Sequence, residues 1–408
     1  MISDKLILQN GKVTYLPNVQ FGDVPEVTST ESEQSKAMNF WKLAVAPQQG
    51  EIADYANELI RYYAKLTPGS DECSEFLLSL LYECRERIRN TLLPFDGCEQ
   101  CNIEFVTSMC RGLEIALSRI RGLSRIILSP YEHPSAEAVA RWVGKMVNAD
   151  VCKLNFEASD YLLLRSEQEK KVAEFIRDEL KNSNGSTALI LSVVSYSTGL
   201  AIRTDKIISL LGNIDESSLH IILDGAHAAG NFISNIDIHK CWAYVVSVHK
   251  WVMSPEPCGV IITPRTLNAD EECYDAWNGT FPVTTANARI IISLASSLRF
   301  IDKVGLEDWH AKSICLRDHF IKRMEGWLSV IGHSEGFEMT SFIAVRPSSG
   351  YQWRWENEEL SKYLEQHAVY LLILSIDPET SWMRIAFPNT LEIQQVDELC
   401  DVLNASLK

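Results

Sequence analysis

Two short segments of the sequence place reactive side chains directly after runs of apolar residues. The segment IILDGAHAAG carries Asp224 and, three residues later, His227. The segment VVSVHKW ends in Ser247, His249 and Lys250. An apolar run that ends in polar residues is typical of a buried strand that delivers side chains to the rim of a sheet. One crossover can connect the two strands, so Asp224 and Lys250 are predicted to share a rim.

A lysine amine and a carboxylate at one rim are the pair that pyridoxal phosphate (PLP) chemistry requires. The amine forms an imine with the cofactor's aldehyde, and a useful fraction of that amine must be neutral to do so. The carboxylate keeps the ring nitrogen protonated, and the charged ring withdraws electrons from the α-carbon of an amino-acid substrate. Lys250 is therefore predicted to carry PLP as a Schiff base and to move the α-proton, with Asp224 at the ring nitrogen.

The same residues resemble the class V aminotransferase family of fold-type I PLP enzymes. That family includes isopenicillin N epimerase-like proteins, cysteine desulfurases and kynureninases. DGAHAAG resembles the family segment in which an aspartate and a following His or Gln hold the ring nitrogen and the phenolic oxygen, which implies these roles for Asp224 and His227. SVHK resembles the Ser-x-His-Lys motif, which implies that Ser247 and His249 bind the phosphate.

Four further segments extend the resemblance over most of residues 75–400. YEHPS resembles a Glu-His motif whose histidine, here His133, stacks on the pyridine ring and acts in catalysis. SVVSYSTGLAIRTDKI resembles the turn beside the phenolic oxygen and places Tyr196 there. WNGTF resembles a segment whose threonine, here Thr280, reaches the cofactor phosphate of the partner, which implies a homodimer. WMRIAF resembles the segment whose arginine, here Arg384, clamps a substrate carboxylate.

The first strand-to-helix turn departs from the family pattern. Relatives place small residues and a threonine at this turn, where backbone N–H groups cradle the phosphate. In FVTSMCRGLE the turn holds Ser108, Met109 and Cys110, which are predicted to bind the phosphate through their backbone. Two explanations remain open: Arg111 supplies compensating charge, or the register differs by one residue.

The elements that position these residues follow from the alternation of short apolar runs with amphipathic stretches. This alternation predicts an α/β fold in which a mainly parallel seven-stranded sheet carries helices on both faces and is followed by a smaller α+β domain. Ligands bind such sheets beyond the carboxyl ends of the strands. The predicted strands of the sheet cover 103–106, 126–128, 151–154, 189–194, 221–223, 244–248 and 260–262.

The chain is predicted to divide into three parts. Residues 1–50 form an N-terminal arm, residues 51–300 form the large PLP-binding domain, and residues 301–408 form the small C-terminal domain. The predicted helices cover 52–66, 75–93, 112–120, 135–145, 167–181, 204–211, 286–304, 309–327 and 391–403. The strands predicted for the small domain cover 341–345, 370–374 and 382–386.

Composition excludes several classes of function. The net charge of −16 argues against a nucleic-acid binder and against binding to anionic membranes, because both normally require a basic excess. We identify neither a signal peptide nor an apolar run long enough to span a bilayer. The 11 scattered cysteines, including an isolated CxxC pair at Cys98 and Cys101, indicate reduced thiols in a cytoplasmic protein, with no metal site.

The motifs specify the cofactor more closely than the reaction. The leading interpretation is a lyase or transaminase of specialised metabolism that acts at the α-carbon of an amino acid. An epimerase is the alternative, with Tyr196 as the second proton donor, and a non-catalytic PLP-fold binding protein is the alternative from another class. His133, Tyr196 and Arg384 also have structural interpretations: helix start, packing aromatic and ion-pair partner. No cysteine lies between Cys315 and Cys400, which argues against a desulfurase with a persulfide-carrying cysteine.

Overall fold

The fold was analysed in a computed structural model. It describes residues 52–92, 101–264 and 288–408, with short gaps inside each range, and a short hairpin near the N-terminus. That hairpin pairs β1 (Ile7–Gln9) with β2 (Lys12–Thr14) and is the described part of the predicted arm. The rest of the described chain forms the predicted α/β architecture.

A seven-stranded sheet forms the centre of the fold, and all seven predicted strands are confirmed within a few residues. Its spatial order is β3-β10-β9-β8-β6-β4-β5. Only β10 runs against its neighbours, since it pairs antiparallel with both β3 and β9. The strands are β3 (Cys101–Val106), β4 (Leu123–Leu128), β5 (Asp150–Lys153), β6 (Ser186–Ser192), β8 (Leu219–Gly225), β9 (Ala243–Ser247) and β10 (Gly259–Pro264).

Both faces of this sheet are buried, as the nearly continuous apolar strands predict. Successive residues of a strand point to opposite faces, so Leu189 and Leu191 join one hydrophobic cluster while Ala188 and Ile190 join another. The helices that cover the two faces are α1 (54–63), α2 (Asp71–Arg87), α3 (Met109–Ser118), α4 (Pro134–Val147), α5 (Arg165–Lys181), α6 (Thr204–Leu211) and α7 (Ala288–Val304).

A four-stranded antiparallel sheet follows and packs around its own apolar cluster. Its spatial order is β11-β13-β15-β14. The long helical pattern that precedes it is broken at Gly305, whose φ of +86° suits glycine. The elements of this unit are α8 (Leu306–Arg323), β11 (Leu328–Val330), β13 (Phe342–Pro347), α9 (Asn357–Gln366), β14 (Leu372–Asp377), β15 (Thr380–Ala386) and α10 (Ile393–Ala405).

The sequence pattern missed three features of this region, one of which is α9 (Asn357–Gln366), where no helix was predicted. β11 begins at Leu328, where a continuing helix was predicted to end at residue 327. A two-stranded ladder also connects the segment after β6 with the segment before β13. In this ladder β7 (Leu200–Ala201) pairs with β12 (Glu338–Met339). Strands of two residues carry too little periodicity to be recognised in a sequence. The domain boundaries at residues 51, 300 and 408 stay predictions.

No helix within the described residues combines the length and the apolar character needed to cross a membrane. No cluster of three or more metal-ligating side chains occurs among the described residues. The cysteines within the described ranges are free thiols, and most of them are buried.

Candidate active site

The polar rim predicted from the sequence lies at the carboxyl ends of β6, β8 and β9. Register aligns Ser192 of β6 with Asp224 of β8, and Asp224 in turn with Val245 of β9. β9 ends at Ser247, and the chain then turns through Lys250. Because neighbouring parallel strands end at one edge, Asp224 and the segment that carries Lys250 lie side by side, as predicted.

Lys250 lies against His227 in this rim. Its Nζ is 3.0 Å from Nε2 of His227. The other ring nitrogen of His227, Nδ1, accepts a hydrogen bond of 3.4 Å from Nε1 of Trp251. The positive charge of Lys250 lowers the pKa of Asp224, against the larger effect of burial, which raises that pKa to about 6. The amine, the imidazole and the carboxylate therefore belong to one site.

Asp224 is buried beside a second carboxyl group, that of Glu132. One carboxylate oxygen of Asp224 accepts from the backbone N–H of Ala226 at 2.8 Å, and a hydrogen bond from Glu132 also lowers the pKa of Asp224. Burial, together with the charge of Asp224, raises the pKa of Glu132 to about 8. Two buried carboxyl groups in contact favour sharing a proton, because both cannot ionise cheaply in a low dielectric.

Hydrogen bonds from β6 and from the loop after β4 hold Glu132 in place. The backbone N–H of Ser192 donates to Oε1 at 2.6 Å, and the hydroxyl of the same serine donates to Oε2 at 2.8 Å. Ser129 adds a third donor at 2.7 Å. Since Ser192 is also the register partner of Asp224, this network fixes the carboxyl pair relative to the sheet.

His133 caps the N-terminus of α4 and faces the same rim. Its Nδ1 accepts from the backbone N–H of Ser135 at 3.0 Å, so the proton of the neutral ring lies on Nε2. Burial, with the charges of Lys250 and Arg384, lowers the pKa of His133 to about 4. Its ring meets Tyr196 edge-on, with 4.9 Å between centroids. His133 therefore starts a helix, as its structural interpretation predicts, and also lies at the rim beside Tyr196.

The second half of the site lies where β9, β10 and α3 meet. Gly259 pairs in register with Ser247, and a Cβ on this glycine would lie 2.6 Å from the carbonyl of Ser108 and 2.7 Å from the nitrogen of Met109. The absence of a side chain therefore lets the N-terminus of α3 approach Ser247. The hydroxyl of Ser247 lies 3.2 Å from Nδ1 of His249. Helix N–H groups, a hydroxyl and an imidazole are groups that bind anions, so this corner is a candidate anion-binding corner.

The contacts of Ser108 and Arg111 define the turn before α3. Ser108 is the N-cap, and its hydroxyl accepts from the N–H of Arg111 at 3.2 Å. The Arg111 guanidinium is exposed and pairs with Glu114 at 2.7 Å, so charge compensation by Arg111 is not what the structure shows. Thr107 stands one residue before the cap, and the alternative of a shifted register stays a prediction. The Met109 side chain packs into the core, so this residue presents its backbone.

Arg384 reaches the rim from β15 and is buried. Its Nη1 donates to the backbone carbonyl of Tyr196 at 2.6 Å, and its guanidinium lies 5.4 Å from the ring centroid of Phe342. Burial lowers the pKa of Arg384 to about 10. A buried cation at this place can bind a carboxylate in a water-poor environment, where the attraction is strong.

The turn that follows Tyr196 is locked to the second sheet. Gly199 has a φ of +73°, and a Cβ there would lie 1.9 Å from the carbonyl oxygen of Phe342. The hydroxyl of Thr340 donates to the Gly199 carbonyl at 2.9 Å. The backbone N–H of Ser341 donates to Asn231 at 2.9 Å. These contacts fix the distance between Arg384 and the rim of the large sheet.

Four residues of this site were missed by sequence reasoning: Glu132, Trp251, Gly259 and Phe342. Glu132 stands next to His133, and an acidic residue after a buried strand was the available signal. Trp251 follows Lys250 directly, but an aromatic residue at a strand end is more often core. The predicted contact of Thr280 lies outside the described residues, so the structure does not address it.

The fold of this chain is similar to that of solved structures, one of which carries a PLP cofactor. Searches with family models and against curated proteins found no match to the sequence, whereas solved structures do match. The cystine C-S lyase C-DES, in complex with its reaction product cysteine persulfide, superposes with a TM-score of 0.65 and 15% identity, covering 86% of this chain and 93% of that chain.

Two further structures show the same likeness. A C-DES variant with glycine covalently linked to its PLP cofactor gives a TM-score of 0.66 at 15% identity, covering 91% of this chain and 98% of that one. The cysteine desulfurase CsdA from Escherichia coli gives 0.63 at 16% identity with the same coverages. At these identities the likeness establishes the fold, and the assignment of chemistry depends on the residues of the rim.

Proposed function

We propose that the chain is a PLP-dependent lyase that acts at the α-carbon of an amino acid. The observation that carries the proposal is the contact at the rim: the Lys250 amine lies 3.0 Å from His227, and its positive charge lowers the pKa of the buried carboxyl group of Asp224. The donor set fits the cofactor, because an amine for the aldehyde, a buried acid for the ring nitrogen and an anion-binding corner occur together. PLP, when bound, supplies the electron sink that labilises bonds at the α-carbon.

Each residue has a role that its contacts support. Lys250 would hold the cofactor through its amine and would then move the α-proton as general base. Asp224 would hold the proton of the ring nitrogen, and His133 would lie against the ring with its proton on Nε2. The Ser108, Met109 and Cys110 turn, with Ser247 and His249, would bind the phosphate.

Arg384 would orient the substrate through its carboxylate. The guanidinium is buried and anchored by the Tyr196 carbonyl, so it binds without first losing conformational freedom. Tyr196 would line the same pocket through its ring, which meets that of His133. A homodimer in which Thr280 reaches the partner's cofactor stays part of the proposal.

Elimination is the reaction that the comparison favours among those left open. C-DES cleaves a carbon–sulfur bond of cystine, and its fold covers most of this chain. The present sequence has no cysteine between Cys315 and Cys400, so a sulfur-accepting cysteine in that region is absent. We therefore favour loss of a β-substituent, with the α-proton taken by Lys250 and the electron pair leaving with the substituent.

The experiment separates the reactions by their products. The PLP-loaded protein is incubated with cystine, cysteine and a panel of other amino acids, with and without a keto acid, in heavy water. A lyase releases ammonia and a keto acid without a keto-acid co-substrate. Transamination needs the co-substrate, and epimerisation gives deuterated amino acid of both configurations. Lys250→Ala should abolish release, whereas Lys240→Ala should not, because Lys240 is exposed and paired with Asp237. Absence of any α-carbon chemistry across the panel would contradict the proposal and favour a non-catalytic binder.

A further inference from the structure

A chain of three side chains crosses the rim: Trp251, His227 and Lys250. The indole Nε1 of Trp251 lies 3.4 Å from Nδ1 of His227, and Nε2 of His227 lies 3.0 Å from Nζ of Lys250. An indole N–H is a donor only. The first contact therefore has one direction: Trp251 donates, and Nδ1 of His227 accepts.

This direction determines where the proton of His227 lies. Burial is the largest of the causes that lower the pKa of His227 well below 6.5, so the ring is neutral. A neutral imidazole carries one proton, and Nδ1 is occupied as an acceptor. The indole N–H therefore favours the tautomer with its proton on Nε2, the nitrogen that faces the amine of Lys250.

The Nε2–H tautomer has a consequence for Lys250. A neutral amine accepts the N–H of His227 through its lone pair, whereas an ammonium group has only donors and would face it proton to proton. The opposite tautomer would present a bare nitrogen to Lys250 and would place its own N–H against that of Trp251. The indole N–H thus selects the arrangement in which His227 donates toward Lys250.

Packing fixes the position of Trp251, so that its indole N–H faces His227. Its ring stacks on Phe342, with 5.6 Å between centroids and 14° between planes. Gly230 has a φ of +78°, and a Cβ there would lie 2.8 Å from the carbonyl oxygen of Trp251. The carbonyl of His227 accepts from the amide of Asn231 at 2.9 Å. Both ends of the Trp251–His227 contact are therefore fixed by the fold.

We propose that Trp251 is a positioning residue that locks His227 in the Nε2–H tautomer and thereby keeps a hydrogen-bond donor aimed at the Lys250 amine. The selection of the Nε2–H tautomer by Trp251 is a property of the cofactor-free chain and does not require the proposed function. One consequence does rest on the proposed function: in the loaded enzyme the same donor would serve the phenolic oxygen of PLP.

The direct test is the tautomer of His227 in cofactor-free protein. Histidine labelled with ¹⁵N distinguishes protonated from bare ring nitrogens by NMR, and a His227→Gln variant assigns the signal. The wild type should show Nε2–H. Trp251→Phe keeps the ring stacked on Phe342 but removes the indole N–H, and it should populate Nδ1–H. An Nδ1–H ring in the wild type, or an unchanged ring in Trp251→Phe, would overturn the proposal.

A second measurement reports on Lys250 without cofactor or substrate. The rate at which an amine-directed acylating reagent modifies Lys250 is followed by peptide mass across pH. In Trp251→Phe a bare Nε2 would accept from the ammonium form of Lys250 and stabilise it, so the neutral fraction falls and the reaction at pH 7 should slow by roughly three- to ten-fold. Because neither PLP nor substrate is present, a failure of the proposed function would not affect this result.

A double-mutant cycle separates the tautomer lock from packing. The side-chain amide of glutamine has a donor in any case, so it needs no indole to fix a tautomer. In a His227→Gln background, Trp251→Phe should change Lys250 acylation by less than about two-fold. An equal loss in both backgrounds would show that Trp251 acts through packing alone and would overturn the proposal.

Discussion

The two halves of the site consist of different kinds of chemical group. The ring end, where the cofactor ring is proposed to bind, consists of titratable side chains that are buried (Glu132, Asp224 and His227) or half-buried (His133 and Lys250). The phosphate end, where the cofactor phosphate is proposed to bind, consists of the N-terminus of α3 at Ser108 and Met109 together with Ser247, His249 and Gly259. The ring end must tune protonation, so it needs particular functional groups. The phosphate end needs only donors and space, which many sequences provide.

This difference predicts how the halves respond to substitution. At the ring end a single functional group has no substitute, so its removal should act on turnover. At the phosphate end several donors share one anion, so removal of one hydroxyl should act weakly, and the largest effect should come from filling the space. The following predictions run from the largest expected effect to the smallest.

Asp224→Ala should lower turnover by about 10²–10³-fold or more, because it removes the buried carboxylate that is proposed to keep the ring nitrogen protonated. Steady-state kinetics of the PLP-loaded variant measure this. Asp237→Ala, which removes an exposed turn carboxylate, is the control and should leave turnover unchanged. Turnover within ten-fold of wild type in Asp224→Ala would break the distinction between the two ends.

Gly259→Ala should weaken PLP binding by about ten-fold or more, since a Cβ would lie 2.6 Å from the Ser108 carbonyl and would push α3 away. Fluorescence titration of the cofactor-free protein measures the affinity. Gly326→Ala is the control, because a Cβ there meets nothing, although its φ of +83° costs stability. Equal PLP affinity in Gly259→Ala and wild type would show that the helix approach is not required.

Arg384→Lys should raise KM for the amino acid by about ten-fold with little change in PLP affinity, because a lysine cannot match a carboxylate with two parallel hydrogen bonds. The positive charge survives, so the variant isolates geometry. KM and PLP affinity are measured on the same preparation. If PLP affinity falls and KM does not, Arg384 serves the cofactor pocket or the ion-pair role instead of the substrate.

Ser247→Ala should weaken PLP binding by only about two- to ten-fold, the effect of one hydrogen bond among several. The same fluorescence titration serves, and Ser209→Ala, whose hydroxyl bonds to the carbonyl of Lys206 on α6, is the control. A loss of binding as large as that in Gly259→Ala would mean that the phosphate end depends on one group, as the ring end does.

Glu132→Gln should flatten the alkaline side of the stability curve. Burial raises the pKa of Glu132 from 4.5 to about 8, so the folded state keeps a proton that the unfolded state releases. The stabilisation is complete below pH 4.5 and is lost as pH rises through 8. Urea unfolding at pH 6 and pH 9 should show a smaller decline in the variant than in the wild type.

The matched control is Glu137→Gln. Glu137 pairs with Arg141 and Lys153, and their hydrogen bonds and charges lower its pKa, so its substitution should leave the alkaline decline unchanged. Equal declines in wild type and Glu132→Gln would show that this carboxyl group is already ionised at neutral pH.

The same contrast explains what the sequence could and could not predict. Asp224, His227 and Lys250 follow apolar runs, and their order along the chain predicted the ring end, whereas the alternation of apolar runs with amphipathic stretches predicted the seven strands. The phosphate end depends on a backbone approach at Gly259, which a sequence shows only as one more glycine. The joining ladder between β7 and β12 involves four residues, so its sequence signal was too short to read.

Contacts across distant segments were also beyond the sequence. The ring of Phe342 lies 5.2 Å from that of His227, yet 115 positions of chain separate the two residues, and nothing local to either marks the partner. Trp251 shows the same limit, since its indole acquires a role only through the orientation of His227. Tertiary packing gives these residues a function that their types alone do not indicate.

The most direct test of the central claim is the attachment of the cofactor. The protein is loaded with PLP, reduced with borohydride and digested, and the peptides are analysed by mass. We predict a phosphopyridoxyl group on Lys250 and on no other lysine, with none in Lys250→Ala. A stable label on a different lysine, or none in a wild-type protein exposed to excess PLP, would contradict the account.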